Sequence, residues 1–456
     1  MPLLNLPHYT SSIIEETDHD IHIQIALTDT TKPLCPECQS KDIQANGKRH
    51  RHYMDIPIRG KRVGLNIDVQ RYRCKSCKKT FSQLLPLMSE ERKMTERLEQ
   101  YIKKHSVLRP YAHIAKETGV CDATVYDLFV DHRDSMEKRT NFVTPKIMGI
   151  DEIHLAKQAR CVITNIEERT IIEMLRDRNK PTVIKYLKGI ENPRVILNVA
   201  MDMWTGYKNA VHEVLPHAVI VVDKFHVVKM ANSAVEKCRK EVRASMPLAQ
   251  RRDLKNDRFI MLKRESQLKP REQFLLSHWK LNYPLLGEVY DLKEAFYGIY
   301  DAKDGKEAYD RFNQWENGLT ENVRPYFHEL HRAVTNWHKE IFSYFEYPVT
   351  NAYTESMNSV IRHIDRMGRS YGFESIRAKV LYSSNIHLIN RKPKFNKKRS
   401  SSSYMGDDMV MERSVTFSMS KSLYQNQKQE FEEINYGVSI DKLAEMLESG
   451  KLQFDV

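Results

Sequence analysis

Over residues 1–89 apolar and polar positions alternate in short stretches, most clearly at 62–73, and a period of two places successive side chains on opposite faces of a strand. This block reads as small and β-rich. Over 90–139 the period lengthens, with Leu98, Ile102, Ile114, Val125 and Leu128 spaced among charged residues, which predicts helices. A turn-like segment at 141–145 precedes five apolar runs of strand length, at 147–150, 161–166, 170–175, 195–200 and 218–222. Helical patterns at 181–190 and 206–214 separate the later runs, giving the order βββαβαβ. Residues 228–346 are charged, helix-patterned and without strand signals, so they read as an all-α insertion in the α/β block. A further helix is expected near 351–366. Beyond it come a basic run with Lys394, Lys397, Lys398 and Arg399, then four serines at 400–403 that suggest a flexible junction. The expected organisation is 1–89, 90–140, 141–390 with the insertion at about 228–346, and a basic, Ser-rich linker and tail at 391–456. No repeat of 20 to 50 residues is visible.

The chain has 456 residues, 41% hydrophobic and 29% charged, which fits a folded multidomain protein and excludes collagen-like or wholly disordered classes. Its net charge of +12 adds a functional constraint, because phosphate backbones recruit Lys and Arg. Nucleic acid is the expected partner. No apolar run is long enough to span a bilayer and residues 1–20 lack a signal-peptide pattern, so the expected location is cytoplasmic, associated with the nucleoid, with no membrane partner.

Four of the seven cysteines form two C-x-x-C pairs, Cys35/Cys38 and Cys74/Cys77. Four thiolates satisfy tetrahedral Zn²⁺ with no open position, so the site would be structural, and strand-like stretches on either side of a turn at 59–61 make a zinc ribbon. Cys121, Cys161 and Cys238 have no such spacing and read as small hydrophobes. Further on, residues 111–119 and 122–131 read as two helices around Gly119, the second capped by Asp122. Ala115, four residues before Gly119, would allow close approach. As a helix-turn-helix this unit would present Thr124, Tyr126 and Asp127 to a major groove; an ordinary αα-hairpin is the alternative.

Carboxylates supply the candidate chemistry. Asp151 closes the first apolar run and Asp202 the fourth, and in a βββαβ topology those strands are neighbours. Two adjacent carboxylates call for protonation or a divalent cation. Glu355 begins the late helix, with Asn358 and Arg362 at i+3 and i+7 on the same face, completing a Mg²⁺ cage with a basic neighbour. Asp223, which also follows a strand, competes for the second position, but the strand count favours Asp202. His154 and the insertion's Trp279, Trp315 and Trp337 have open roles, the tryptophans reading more readily as core.

With these residues in place, the chain resembles the ISL3 type of insertion-sequence transposase, over nearly its whole length to about Arg391. The C-x-x-C pairs carry the resemblance, together with GIDE at 149–152, AMDMWTGY at 200–207, VDKFHV at 222–227 and TESMNSVIR at 354–362. It implies a zinc-binding N-terminus, a helix-turn-helix and an RNase H-like DDE catalytic domain interrupted by the all-α insertion. It also implies Asp151, Asp202 and Glu355 as catalytic triad, with Asp223 and His226 resembling the Asp/Cys-x-x-His signature and Arg362 the basic residue after the Glu. Two Mg²⁺ ions per site, for which Mn²⁺ could substitute, would support strand cleavage and then strand transfer by the freed 3′-OH. Zinc ribbon and helix-turn-helix would read terminal inverted repeats, and handling two ends implies a homodimer or larger assembly on double-stranded DNA. The alternatives are a zinc-dependent DNA-binding regulator with an inactive α/β platform, and a structure-selective nuclease.

Overall fold

In the computed structural model, which describes residues 4–155, 157–368 and 371–383, the N-terminal alternation becomes a seven-stranded sheet. Its strands are β1 (Tyr9–Glu16), β2 (Asp20–Leu27), β3 (Ile43–Ile58), β4 (Lys61–Cys74), β5 (Thr80–Ser82), β6 (Met88–Ser89) and β7 (Met94–Thr95). Ile21, Ile23 and Ile25 occupy every second position of β2 and are buried with Val63, Leu65 and Ile67 of β4. β3 and β4 form a long antiparallel hairpin that turns at Arg59 and Gly60, both with positive φ (55° and 78°). Paired left-handed residues match the right-handed twist of the strands they join.

Three helices follow, α1 (Glu96–Ser106), α2 (Tyr111–Thr118) and α3 (Asp122–Arg139), and the five periodic apolar residues of the sequence form their shared core. Thr95 caps α1 by accepting from Leu98 N at 3.2 Å while its hydroxyl donates to buried Asp55 of β3 at 2.7 Å, tying hairpin to helix. Between α2 and α3 Gly119 has φ +74°, and a Cβ there would lie 2.7 Å from Met54 Cε of β3. Glycine adopts this left-handed conformation without strain, and Met54 would have to move to admit a larger residue. The expected cap is corrected: Cys121 holds the N-cap position of α3, its Sγ 3.1 Å from Thr124 Oγ1, and Asp122 is the first helical residue. The carboxylate still sits at the positive end of the helix dipole.

The second sheet contains β8 (Ile147–Leu155), β9 (Gln158–Asn165), β10 (Thr170–Leu175), β11 (Asn198–Met201) and β12 (Val219–Val222), in the order β10-β9-β8-β11-β12. α4 (Lys180–Lys188) and α5 (Thr205–Val214) fall between β10 and β11 and between β11 and β12, so the element order is the expected one. β11 starts later than its apolar run because Pro193–Val195 forms a 3-10 turn. β8 lies antiparallel to β9 and parallel to β11, with Ile150 opposite Met201. One expectation needs correcting here. Asp151 does not close its strand, since pairing with β9 carries β8 on to Leu155; it is the partner β11 that stops at Met201, one residue before Asp202.

From α6 (Lys224–Ser245) onward the described residues contain no strand, and α6 begins directly after β12, earlier than expected. It is followed by α7 (Leu248–Asn256), α8 (Arg258–Leu262), α9 (Pro270–Asn282), α10 (Pro284–Ile299), α11 (Gly305–Asn317), α12 (Arg324–Asn336) and α13 (His338–Phe342). Trp279, Trp315 and Trp337 are buried in the common core of these helices, as the simpler reading of them has it. The chain then returns to the second sheet through α14 (Ala352–Gly368), packed on β8, and α15 (Phe373–Ser383), packed on β10. Among the described residues no helix is long and apolar enough to cross a membrane.

Candidate active site

α14 is seated on β8 by small polar groups. Thr354 and Thr164 of β9 place their hydroxyls 2.7 Å apart, the Thr354 hydroxyl also lies 2.5 Å from Asn351 Oδ1, and Asn351 Nδ2 donates to the Ile150 carbonyl at 3.2 Å. Gly149 makes this possible: a Cβ there would stand 2.4, 2.5 and 2.6 Å from the oxygens of Thr164, Thr354 and Asn351. Sequence reasoning named Gly149 and Thr354 only within the motifs at 149–152 and 354–362, without this role, and missed Thr164 and Asn351. A glycine inside an otherwise apolar strand was the available signal, since such a residue marks close approach of another element.

This seating brings Glu355 and Asn358 to the neighbourhood of Asp151 and Asp202. Asn358 Nδ2 donates to Asp151 Oδ2 at 2.8 Å, and Asp151 Oδ1 accepts from the Glu152 backbone N–H at 2.8 Å. His226, on the first turn of α6, lies with Nδ1 3.2 Å from Asp202 Oδ1 and Nε2 3.2 Å from Glu355 Oε1. Its ring stands between carboxylates delivered by β11 and α14. Asp223, the N-cap of α6, joins His226 and Glu355 in a group whose ligand atoms all lie within 4.8 Å of one another. Asp151 and Asp202 are outside that tighter group; Asp202 reaches it through His226. Arg362 is exposed on α14, two turns beyond Glu355.

The electrostatics are those of a cluster that lacks counter-charge. Burial pushes the Asp151 carboxyl up to about 6; the Glu152 N–H and His226 oppose the shift, and Asp202 and Glu355 add to it. Glu355 is raised by burial and by the charge of Asp223, and Asp223 is itself raised by burial. Asp223 Oδ2 and Asn358 Oδ1 are buried without a hydrogen-bond partner. Orphaned oxygens beside a histidine and several carboxylates fit a hard divalent cation, which would satisfy them. Flanking the cluster, Glu152 accepts from Arg178 and lies 3.1 Å from His154 Nδ1, and the Arg178 guanidinium sits 4.1 Å over the exposed Trp204 ring.

The cysteine pairs also converge. Cys35 and Cys38 precede β3, and Cys74 and Cys77 lie at the end of β4 and in the turn beyond it. Cys35 and Cys77 Sγ are 3.6 Å apart, as are Cys38 and Cys74 Sγ. A tetrahedron with metal–sulfur bonds of about 2.3 Å has edges of about 3.8 Å, so this donor set fits zinc. Backbone N–H groups of the second turn, that of Cys77 foremost, draw the Cys74 thiol down to about 6, while the Cys38 and Cys77 thiols beside it are raised, so without a metal the four thiols share their protons unevenly.

On α3, Tyr126 and Asp127 are exposed and Thr124 is half-buried. The Tyr126 ring rests edge-on against Tyr111 of α2, 5.7 Å between centroids. Lys394, Lys397, Lys398 and Arg399 lie outside the described residues.

Both regions of the chain match known proteins. Residues 31–77, which span the four cysteines, match the zinc-finger of transposase IS204/IS1001/IS1096/IS1165. Among curated proteins, the transposase for insertion sequence element IS1001 of Bordetella parapertussis is 23% identical over 362 residues, covering 77% of this chain and 88% of the relative. The transposase for insertion sequence element IS1557 of Mycobacterium tuberculosis is 25% identical over 275 residues, 54% of this chain and 61% of that protein. Residues 148–380, from β8 through most of α15 and just over half of the chain, match the ISL3 family of DDE transposases. The chain belongs to the ISL3 transposase family.

Proposed function

We propose that this protein binds the terminal inverted repeats of its own insertion sequence and carries out metal-dependent cleavage and transfer of DNA strands. The observation that carries this reading is that His226 lies 3.2 Å from both Asp202 and Glu355, while Asn358, one turn beyond Glu355 on the same helix, donates to Asp151 on the strand beside β11. In this reading residues 141–390 form an RNase H-like catalytic domain, supported by a central β8 antiparallel to β9 and parallel to β11. Residues 1–89 form the zinc-ribbon module and 90–140 a helix-turn-helix whose Thr124 and Tyr126 meet DNA.

Asp151, Asp202 and Glu355 would hold Mg²⁺, with Asp223 and His226 supporting them. When bound, the metal supplies Lewis-acid activation of water or a 3′-OH and stabilises the leaving oxygen. The chain's own residues prepare the site. Asn358 fixes one oxygen of Asp151, the Glu152 N–H holds the other, and at neutral pH the carboxyl, pushed up to about 6, is ionised and able to ligate. His226 keeps Asp202 and Glu355 within reach of each other, and exposed Arg362 is available to a phosphate. Because transposition handles two ends, the acting species is a homodimer or larger assembly on double-stranded DNA.

Substitution tests the residue assignment. With Mg²⁺ and DNA bearing the element's ends, Asp202→Ala should retain end binding and lose strand cleavage. Abundant cleavage by Asp202→Ala, together with loss in Asp223→Ala, would instead make Asp223 the second catalytic carboxylate.

A further inference from the structure

Asp202 and His226 border not only the carboxylate cluster but also a cavity of about 590 Å³ between α6 and α12. On α6 its walls are His226, Lys229, Met230 and Ser233, and on α12 Glu329, Arg332, Ala333 and Asn336. Each set follows i, i+3, i+4, i+7, a single helical face. Faces that packed helices turn to one another are ordinarily apolar. Here the apolar residues Val227, Ala231 and Val235 on α6 and Phe327 and Val334 on α12 are buried in the core of the insertion, and the facing stripes, Met230 and Ala333 apart, are polar.

The groove continues. A second cavity, of about 580 Å³, shares Met230, Ser233 and Glu329 with the first and adds Lys237 and Arg324 further along the two helices. Lys229, Lys237, Arg324 and Arg332 form no ion pair with a carboxylate among the described residues, although Glu321 and Glu329 also border the groove. Both volumes lie in the range of about 300 to 1,000 Å³ typical of small-ligand sites, which suits successive nucleotides rather than a double helix. Cations without a carboxylate partner, beside Met203, Met230 and the Tyr326 ring, are the elements of a single-strand track, in which phosphates meet Lys and Arg and bases lie on uncharged side chains.

We infer that the groove between α6 and α12 carries a single strand of the substrate DNA away from the carboxylate cluster, with its phosphates on Lys229, Arg332, Arg324 and Lys237. This rests on the strand-cleavage reading above, and it gives the helical insertion a function in handling the strand next to the scissile phosphate. Duplex held by the N-terminal modules does not use the groove.

The test places 4-thiothymidine in each strand within a few nucleotides of the scissile phosphate and maps ultraviolet crosslinks on the full-length protein. Crosslinks from one strand are expected within residues 224–245 and 324–336. In parallel, the double variant Lys237→Glu/Arg324→Glu, away from the carboxylates, should bind intact duplex ends as the unmodified protein does and cleave them at least about tenfold more slowly, with a shallower salt dependence of binding to pre-nicked ends. Crosslinks confined to other segments, or normal cleavage by the double variant, would overturn the inference while leaving the transposase reading in place. Absence of cleavage by the unmodified protein would count against that reading itself, and crosslinks to the two helices would then still report the strand's path.

Discussion

A single methyl group at Gly149 would stand within 2.4 to 2.6 Å of three oxygens that seat α14 on the second sheet. Gly149→Ala should therefore displace the helix that carries Glu355 and Asn358, destabilise the protein by about 1–3 kcal/mol, and depress cleavage more than end binding. Thermal unfolding and a cleavage assay on the same preparation check this; wild-type stability with wild-type cleavage would refute the seating argument. Asp151 gives a second residue-scale prediction. Its carboxyl sits at about 6 in the folded protein against an ordinary value of 3.8. The metal-free native state thus holds a proton that the unfolded chain has released, so the stability this group contributes is present at acid pH and lost as pH rises through about 6. Glu355 and Asp223 move in the same direction. The unfolding midpoint of metal-stripped protein should fall between about pH 4 and about pH 7, and Asp151→Asn should reduce that fall. An unchanged slope in the variant would show that burial of Asp151 does not govern it.

At the scale of elements, the strand order β8, β9, β10, β11, β12 was legible because each strand is a short apolar run bounded by turn residues, with helical spacing between the later ones. The adjacency of Asp151 and Asp202 followed from that order alone. What periodicity could not give is how a helix distant in sequence is held. The contacts of Thr354, Thr164, Asn351 and Gly149 are polar or steric, non-local, and leave no repeating pattern. Local signals also misled where two neighbours could serve, as with Cys121 and Asp122 at the start of α3. The polar stripes on α6 and α12 were invisible for a similar reason, since a solvated face and a groove wall have the same spacing. The cysteine knuckles make a separable element: Cys35, Cys74, Ile43 and Tyr72 form a small cluster apart from the core of the sheet beneath. Cys74→Ser should consequently lose zinc and weaken end binding while the sheet's secondary structure persists. Retained zinc in the variant, or collapse of the whole strand signal, would contradict this.

On the scale of the whole molecule, one chain joins a zinc ribbon, a helical hairpin and a carboxylate-bearing mixed sheet interrupted by helices. The net charge of +12 suits a polyanionic substrate, and binding should weaken steeply with salt. Binding alone would not separate a transposase from a regulator built on the same scaffold. The separation lies in the carboxylates, since a regulator needs no buried Asp151 held by Asn358 and the Glu152 amide. The most direct measurement compares the intact protein with Asp151→Ala for Mg²⁺-dependent cleavage of DNA carrying the element's own ends, with end binding measured alongside. Cleavage by the intact protein that vanishes in the variant while binding survives is the predicted result; binding without cleavage in both, with metal and paired ends supplied, would contradict it.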